Sequence, residues 1–577
     1  MSKLNIDQKS IGELLSDKKT DFLIPDYQRP YAWGTDECET LWSDLFAFAF
    51  PGDNYENFDE NDEYFLGPIV TFKNEDGRQE IIDGQQRLTT IMLLLRAFYD
   101  RFANMKDKNS TRMHENISKC VWKTDEFGDA DMGRLKIDSE VASDDDKEEF
   151  LSILRTGKVK SEWRSVYARN FQYFQKSIEK LLNEYPSYIA YFAARILNNV
   201  ILLPIEAESQ GTALRIFSTL NDRGLPLSDA DIFKSQFYKY FSDLGRKDEF
   251  VTRWKSLEAG ANAIFKPLRG TPMDELFTRY MYYRRAKLGI KDTTTQSLRD
   301  FFSRDEYAML RSEESLADLE SLLEFWKKVD GQFGFSDRVL CRLFVLGYAP
   351  NGMWTYLLSV WFLANRSAEG ELDDEELYRF LNLITAFIYA YAIERPGVNA
   401  LRSPVYPEMI NIVEHRPVSF SNHRFERADI TGRFQSYVFT NGRPVTKSIL
   451  AWWAFNDPDQ SLIDNDTTLE IEHIYARKRN EVEPLAKRSN LEALGNKAIL
   501  EKRVNIRAAD YRFSDKKKYY EGFVDGNGKE RSGTSVVELR DLSRTMEDFT
   551  ERDIECRTAK IIGSFVDYLG DNGLLQD

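Results

Sequence analysis

Apolar residues recur along this chain in two rhythms, and the switches between them mark its parts. Residues 5–16 predict a short helix on Ile11, Leu14 and Leu15, because steps of three and four place one stripe on a helix face. Phe22 to Ile24 reads as a strand, and Pro25 and Pro30 interrupt regular structure around Tyr27, Gln28 and Arg29. Thr35 or Asp36 caps a helix carrying Leu41, Trp42 and Leu45. Residues 51–63, acidic and rich in Gly and Asn, form a loop. Tyr64 to Phe72 and Gln79 to Ile82 predict a hairpin about Glu75-Asp76-Gly77, followed by an apolar helix from Thr89 to Phe102. Residues 104–165 are polar and read as an insertion without a fold of their own. Helices at Trp163 to Tyr185 and Tyr188 to Leu197 lead to a strand at Val200 to Pro204. A helix ending at Leu220 then turns through Asn221 to Gly224 into a second helix, for which Ser228 and Asp231 make a capping box.

From about 245 to 430 the helical rhythm is continuous, at Leu276 to Leu288, Leu316 to Val329, Trp354 to Leu363 and Leu377 to Tyr391. Tyr280, Tyr282 and Tyr283 beside Arg279, Arg284 and Arg285 suit contact with a nucleic-acid backbone, but the favoured reading is one packed and one solvated helix face. Arg433 to Phe455 is helical, Leu469 to Ile474 is a strand, Ala498 to Leu500 is a short apolar segment, 525–533 is a flexible loop, and Asp548 to Leu569 is the last helix. The pattern is that of an α+β, predominantly helical protein. Its expected domains are 1–240, an α-helical scaffold over 241–430, and 431–577.

Charge refines this picture. The 577 residues carry a net charge of −16, which taken whole argues against a nucleic-acid partner. Between Arg477 and Tyr520, however, 13 Lys and Arg face 6 Asp and Glu, a local net of +7. An acidic body with one basic face grips DNA only there, and Lys516 and Lys517 are the expected backbone contacts; a solvated charged face is the plainer reading. Four dispersed cysteines and the absence of a leader or of an apolar run of about 18 residues predict a reduced, cytoplasmic protein without a membrane span.

The densest chemistry lies in LEIEHIYARKRN and LGNKAILEKRVNIRAADYRFSDKKKYY. Glu472 and His473 are neighbours on a strand, so they point to opposite sides. Asn496 and Asn505 bracket the apolar segment. One divalent metal held by the oxygens of Glu472 and Asn505, with His473 taking a proton from water, suits hydrolysis of a phosphodiester. Taken singly, these are also an ordinary strand histidine and turn-forming asparagines. Together they resemble a ββα-metal (HNH) nuclease whose last His is replaced by Asn. The resemblance implies His473 as general base, Glu472 and Asn505 as ligands of Mg²⁺ or Mn²⁺, and Asn496 as the brace of the loop.

A second cluster follows the predicted hairpin. Asp83-Gly84-Gln85-Gln86-Arg87 joins a strand to a helix start, where free N–H groups and Arg87 suit an anion. Tyr27, Gln28 and Arg29 offer stacking and bidentate donors, or they pack beneath the next helix. Ile-Pro-Asp-Tyr-Gln-Arg-Pro-Tyr-Ala-Trp with Asp-Gly-Gln-Gln-Arg-Leu-Thr-Thr closely resembles the N-terminal half of GmrSD-type (type IV, modification-dependent) restriction endonucleases. That resemblance implies a ParB/sulfiredoxin-like domain in which Asp83 to Arg87 bind and help hydrolyse GTP, ATP or UTP. It places Tyr27, Gln28 and Arg29, as sensors of modified DNA, in or beside the same pocket. Phe217-Ser218-Thr219-Leu220-Asn221-Asp222-Arg223-Gly224 recurs in the same half, which brings Asn221, Arg223, Asp231 and Lys234 near the nucleotide.

The expectation is an anti-phage endonuclease acting on double-stranded, modified phage DNA, controlled by a nucleoside triphosphate and possible as a homodimer. Two rivals stand beside it: a nucleotide-driven effector that cuts without reading modification, and a DNA-binding regulator whose nuclease motif is inactive.

Overall fold

A computed structural model describes the chain except residues 1–4, 7, 27, 75, 142–145, 209–211, 214–215, 217–227, 295, 398, 510 and 577. Tyr27, Asn221 and Arg223 therefore lie outside the described residues, as does the end of the helix expected at Leu220. The chain divides into two compact units, Met1–Lys255 and Ser256–Asp577. The helices from Pro272 onward belong to the same unit as the segment that follows them. The fold is α+β and predominantly helical.

In the first unit a mixed sheet runs β1 (Asn5–Ile6), β9 (Val200–Ala207), β4 (Tyr64–Lys73), β5 (Gln79–Asp83), β3 (Phe22–Ile24) and β8 (Ile137–Ser139), with β2 (Lys9–Ser10) also on β9. β4 and β5 form the expected antiparallel hairpin, while β4–β9, β3–β5 and β3–β8 are parallel. The helix after β5 spans Gln85–Phe102, four residues earlier than its apolar stripe suggested. Ile91, Leu94, Leu95 and Phe98 are fully buried, and Gln85 and Gln86 in its first turn are buried as well. A helix buried almost all round needs its terminal polar groups satisfied by neighbouring chain.

Residues 104–165, for which the sequence pattern assigns no fold, form regular structure. Asp107 caps the helix Lys108–Val121 by accepting from Ser110 N at 2.9 Å. The helix buries Ile117, Cys120 and Val121, and the chain then makes the β6–β7 hairpin (Trp122–Thr124, Ala130–Leu135) before β8 completes the sheet. Ser228 and Asp231 form the expected capping box.

The second unit begins with helices at Pro272–Lys287, Glu313–Asp330, Asp337–Leu346, Met353–Asn365 and Asp374–Glu394. Little of the solvated face expected on the first is present: Arg279, Tyr280, Tyr282, Tyr283 and Arg285 are buried and Arg284 is half-buried. The guanidinium of Arg279 lies over the Trp326 ring at 4.1 Å, so aromatic surface replaces water around it. Further on, β10 (Leu469–His473) pairs antiparallel with β11 (Lys497–Glu501), and the helix Lys502–Ala508 follows at once. The expected flexible loop at 525–533 is the turn and second strand of a hairpin, β12 (Gly522–Val524) with β13 (Glu530–Ser532). The helix Glu551–Asp571 comes last.

Candidate active site

β10 and β11 are in register, Glu472 opposite Ala498 and His473 opposite Lys497. The long connection between them is fastened by Asn496, which is fully buried. Its Oδ1 accepts from Tyr475 N at 2.6 Å, and its Nδ2 donates to Tyr475 O and Leu491 O at 3.1 and 2.9 Å. The bracing role expected of Asn496 has these three bonds as its geometry. Gly495 presses against the last helix: a Cβ there would meet Ile554 O at 2.0 Å. Arg557, on that helix, donates to Leu494 O, Gly495 O and Lys497 O and pairs with Glu538.

Alternation along β10 sorts the candidate residues onto two faces. On one, His473 is buried, with Nε2 3.4 Å from Glu492 Oε1 and in no hydrogen bond. Glu492 also meets Arg477 Nη2 at 3.0 Å and Lys497 Nζ at 2.6 Å. Burial, and then the charge of Lys497, push the imidazole down to about 4, so it is neutral at neutral pH. Burial alone would raise the Glu492 carboxyl, but Lys497, His473 and Arg477 together hold it below its usual range.

On the other face, Glu472 is buried and its Oε1 accepts from both Lys516 Nζ, at 2.6 Å, and Tyr520 OH, at 2.7 Å. Lys516 also donates to His473 O at 2.6 Å. With 1% of its side chain exposed, Lys516 cannot be the phosphate contact expected of it; its ammonium neutralises an interior carboxylate instead. Lys517 is half-buried and donates to Met546 O at 2.8 Å. The Nδ2 of Asn505 donates to Glu470 Oε2 at 2.9 Å, a bond to the carboxylate two residues before Glu472. Among the described residues, no three His, Cys, Asp or Glu gather closely enough to hold a metal ion. The oxygen donors available on this face are those of Glu470, Glu472 and Asn505.

The N-terminal cluster is local. Asp83 ends β5, and Gly84 turns the chain at φ +92°, where a Cβ would meet Ile69 Cγ1 at 3.0 Å and Pro68 O at 3.1 Å. Asp83 Oδ1 accepts from Gly84 N at 2.7 Å, and its Oδ2 lies 3.4 Å from Arg87 Nη2. Arg87 passes over Gly67, where a Cβ would fall 1.8 Å from its Nη1. Burial raises the Asp83 carboxyl and lowers the Arg87 guanidinium, each partly offset by the other. The carboxamides fix the 28–33 loop: Gln28 donates to Ile81 O and Ile82 O, Gln86 accepts from Ala32 N and Trp33 N and donates to Pro30 O, and Gln85 donates to Arg29 O. Gln85 Oε1 and Arg29 Nε stay buried without a hydrogen bond. Asp231 serves its capping box, and Lys234 is buried.

Sequence reasoning missed Glu470, Glu492, Lys497, Tyr520 and Arg557. Two signals were available: Glu470 shares the face of Glu472 by strand alternation, and Lys516 and Tyr520 are four apart on one helix.

Residues 11–238 match the family model of the GmrSD restriction endonuclease N-terminal domain, and residues 422–563 match that of the GmrSD restriction endonuclease C-terminal domain. Together they span well over half of the chain. The chain belongs to the GmrSD restriction endonucleases, and its substrate is DNA. No curated protein matches it by sequence. Among the described residues no helix is long and apolar enough to cross a membrane.

Proposed function

We propose that this restriction endonuclease cuts modified phage DNA at a single-metal ββα site in β10, β11 and the helix Lys502–Ala508, and that nucleotide binding in its N-terminal unit controls the cut. The observation that carries this reading is the Asn496 brace beside a neutral imidazole whose Nε2 has no hydrogen bond. His473 Nε2, closed to solvent beside Glu492 in this structure, is the atom that would take the proton once the attacking water reaches it. The imidazolium so formed meets Glu492 Oε1, 3.4 Å away, which Arg477 and Lys497 hold in position. Neighbouring Glu492 therefore favours the protonated state that the reaction creates.

Carboxylate and amide oxygens suit a hard divalent cation, Mg²⁺ or Mn²⁺. Glu472 and Asn505 would hold it, with Glu470 beside them. Both hydrogen bonds to Glu472 fall on Oε1, the arrangement by which a neighbouring shell orients a ligating carboxylate. A cation bound there supplies Lewis-acid stabilisation of the phosphate. In the N-terminal unit, Arg87 and the start of the helix Gln85–Phe102 receive the phosphates of GTP, ATP or UTP, and the unsatisfied Gln85 Oε1 and Arg29 Nε favour a polar ligand at that turn.

The test is cleavage of matched modified and unmodified phage DNA, with and without each nucleotide, by the native chain and by His473→Ala. Loss of the base should slow cutting by about 10²–10⁴-fold. Undiminished nicking by His473→Ala in Mg²⁺ or Mn²⁺ would remove the site. Equal cutting of both DNAs would leave a nuclease that does not read modification.

A further inference from the structure

The helix Lys502–Ala508, which carries Asn505, turns toward solvent a face that the candidate site does not use. Lys502, Arg503 and Ile506 share that face at steps of three and four, and Ile506 is 66% exposed. Just past the helix, Tyr511 is 47% exposed. Its ring stacks on that of Tyr519, with centroids 5.8 Å apart and planes at 19°, and Phe523 meets Tyr519 edge-on at 5.2 Å. Tyr519 stands on the helix Phe513–Glu521 and Phe523 on β12. Tyr511 is thus the outer ring of a row of three. A lone exposed ring is ordinary on a protein surface, but a ring held in orientation by a stack is a flat platform.

The charge around this platform is positive. From Lys502 to Glu521 the sequence holds seven Lys and Arg against Asp510, Asp515 and Glu521. Lys516 and Arg512 are paired with Glu472 and Glu483, which leaves five cations against those three acids. Arg503 and Lys518 are exposed and form no ion pair among the described residues, and the Lys518 ammonium lies 5.0 Å from the Tyr519 ring centre. Open aromatic surface beside free cations suits a nucleic-acid strand, with phosphates on the cations and a base on the ring. The substrate of this chain is DNA, and the platform follows directly on the helix of the candidate active site. A ring stacks only on a base whose face is free, and inside a duplex neighbouring pairs cover both faces. We infer that Tyr511 is a platform for one unstacked base of the DNA, with Arg503 and Lys518 on the flanking phosphates. The inference rests on the proposed placement of cutting beside the helix Lys502–Ala508, and adds that DNA with a base free to leave the stack is favoured there.

Such a base is either turned out of the helix or lies at a strand end, and two arms separate these sources. The full chain is titrated by fluorescence anisotropy, in EDTA so that no strand is cut, with three labelled DNAs of one sequence. One is fully paired, one carries a base opposite an abasic position, and one ends in a single-stranded overhang. Preference over the paired duplex should be about tenfold, the scale of one base on an aromatic ring. Preference for the abasic duplex identifies a base turned out of the helix, and preference for the overhang alone identifies a strand end. Tyr511→Ala should remove the preference and leave affinity for the paired duplex unchanged, whereas Tyr511→Phe should keep both. Should Tyr511→Ala not fold, Tyr511→Leu bears the same expectation, because it keeps apolar volume and loses the flat ring. Equal native affinities for the three DNAs, or a preference that Tyr511→Ala leaves intact, would overturn the platform. So would an equal fall for all three, which assigns the ring to packing. Unchanged DNA binding with lost self-association would give the face to a second copy of the chain and overturn it too. Binding is read without cutting, so undiminished nicking by His473→Ala leaves this result standing, and equal affinities here leave the cutting site standing.

Discussion

The Asp83–Arg87 turn and the β10–β11 pair divide labour differently. At the turn, the ionic pair is a single helical step, Asp83 to Arg87, and the glutamines around it bind only main-chain groups. At the strand pair, each ionisable residue is held by side chains from distant elements: Lys516 and Tyr520 for Glu472, Glu492 and Lys497 around His473. The first site is a local device set into a sheet. The second exists only when the whole C-terminal segment has folded. Substitutions should therefore act at the turn on ligand binding or on one loop, and at the strand pair on the entire arrangement.

Asn496→Ala should show this most strongly. It leaves Tyr475 N, Tyr475 O and Leu491 O without the bonds that Asn496 now makes. At about 1–3 kcal/mol for each buried group left unpaired, stability should fall by several kcal/mol, read as a lower denaturant midpoint, and cutting should vanish with it. A variant as stable as the native chain would mean that the loop between β10 and β11 holds itself.

The turn should separate into two effects. Gln86→Ala removes the acceptor for Ala32 N and Trp33 N and should cost about 1–3 kcal/mol, with nucleotide binding weakened only through the displaced loop. Arg87→Ala should abolish nucleotide turnover and, because it leaves the largely buried Asp83 without its partner, also lower the unfolding midpoint. Normal turnover in Arg87→Ala would remove the nucleotide from this turn, whatever Gln86→Ala does.

Local pattern made much of this legible. The β4–β5 hairpin, the Ser228–Asp231 box, β10 and the apolar core of β11 all follow from alternation or from cap residues a few positions apart. What escaped depended on partners far along the chain. β8 is only three residues long, and it is a strand because β3 lies beside it. Lys516 reads as part of a basic run, yet Phe513, Lys516 and Tyr520 form one buried stripe of their helix, and Glu472 supplies the counter-charge 44 residues earlier. A sequence window that sees three lysines does not see that carboxylate. The hydrogen bond of Asn505 to Glu470 was not legible either, because Glu470 and Glu472 share a face and the position of the helix Lys502–Ala508 decides which of them Asn505 meets.

The smallest effect concerns DNA affinity and sharpens the same distinction between interior and surface charge. Lys502 and Arg503 are exposed on the helix that carries Asn505, and Lys502 Nζ lies a loose 3.8 Å from Glu470. If that helix lies along the DNA backbone, replacing both by Ala should lower the salt slope of binding by about two units. Lys517→Ala should leave the slope unchanged, because its ammonium already serves Met546 O. Lys516→Ala should act on cutting and stability, since it strips an interior carboxylate of its partner. Slopes measured by anisotropy across a salt series test all three together. A drop with Lys517→Ala and none with the Lys502 and Arg503 pair would move the DNA-binding face from the helix Lys502–Ala508 to the helix Phe513–Glu521.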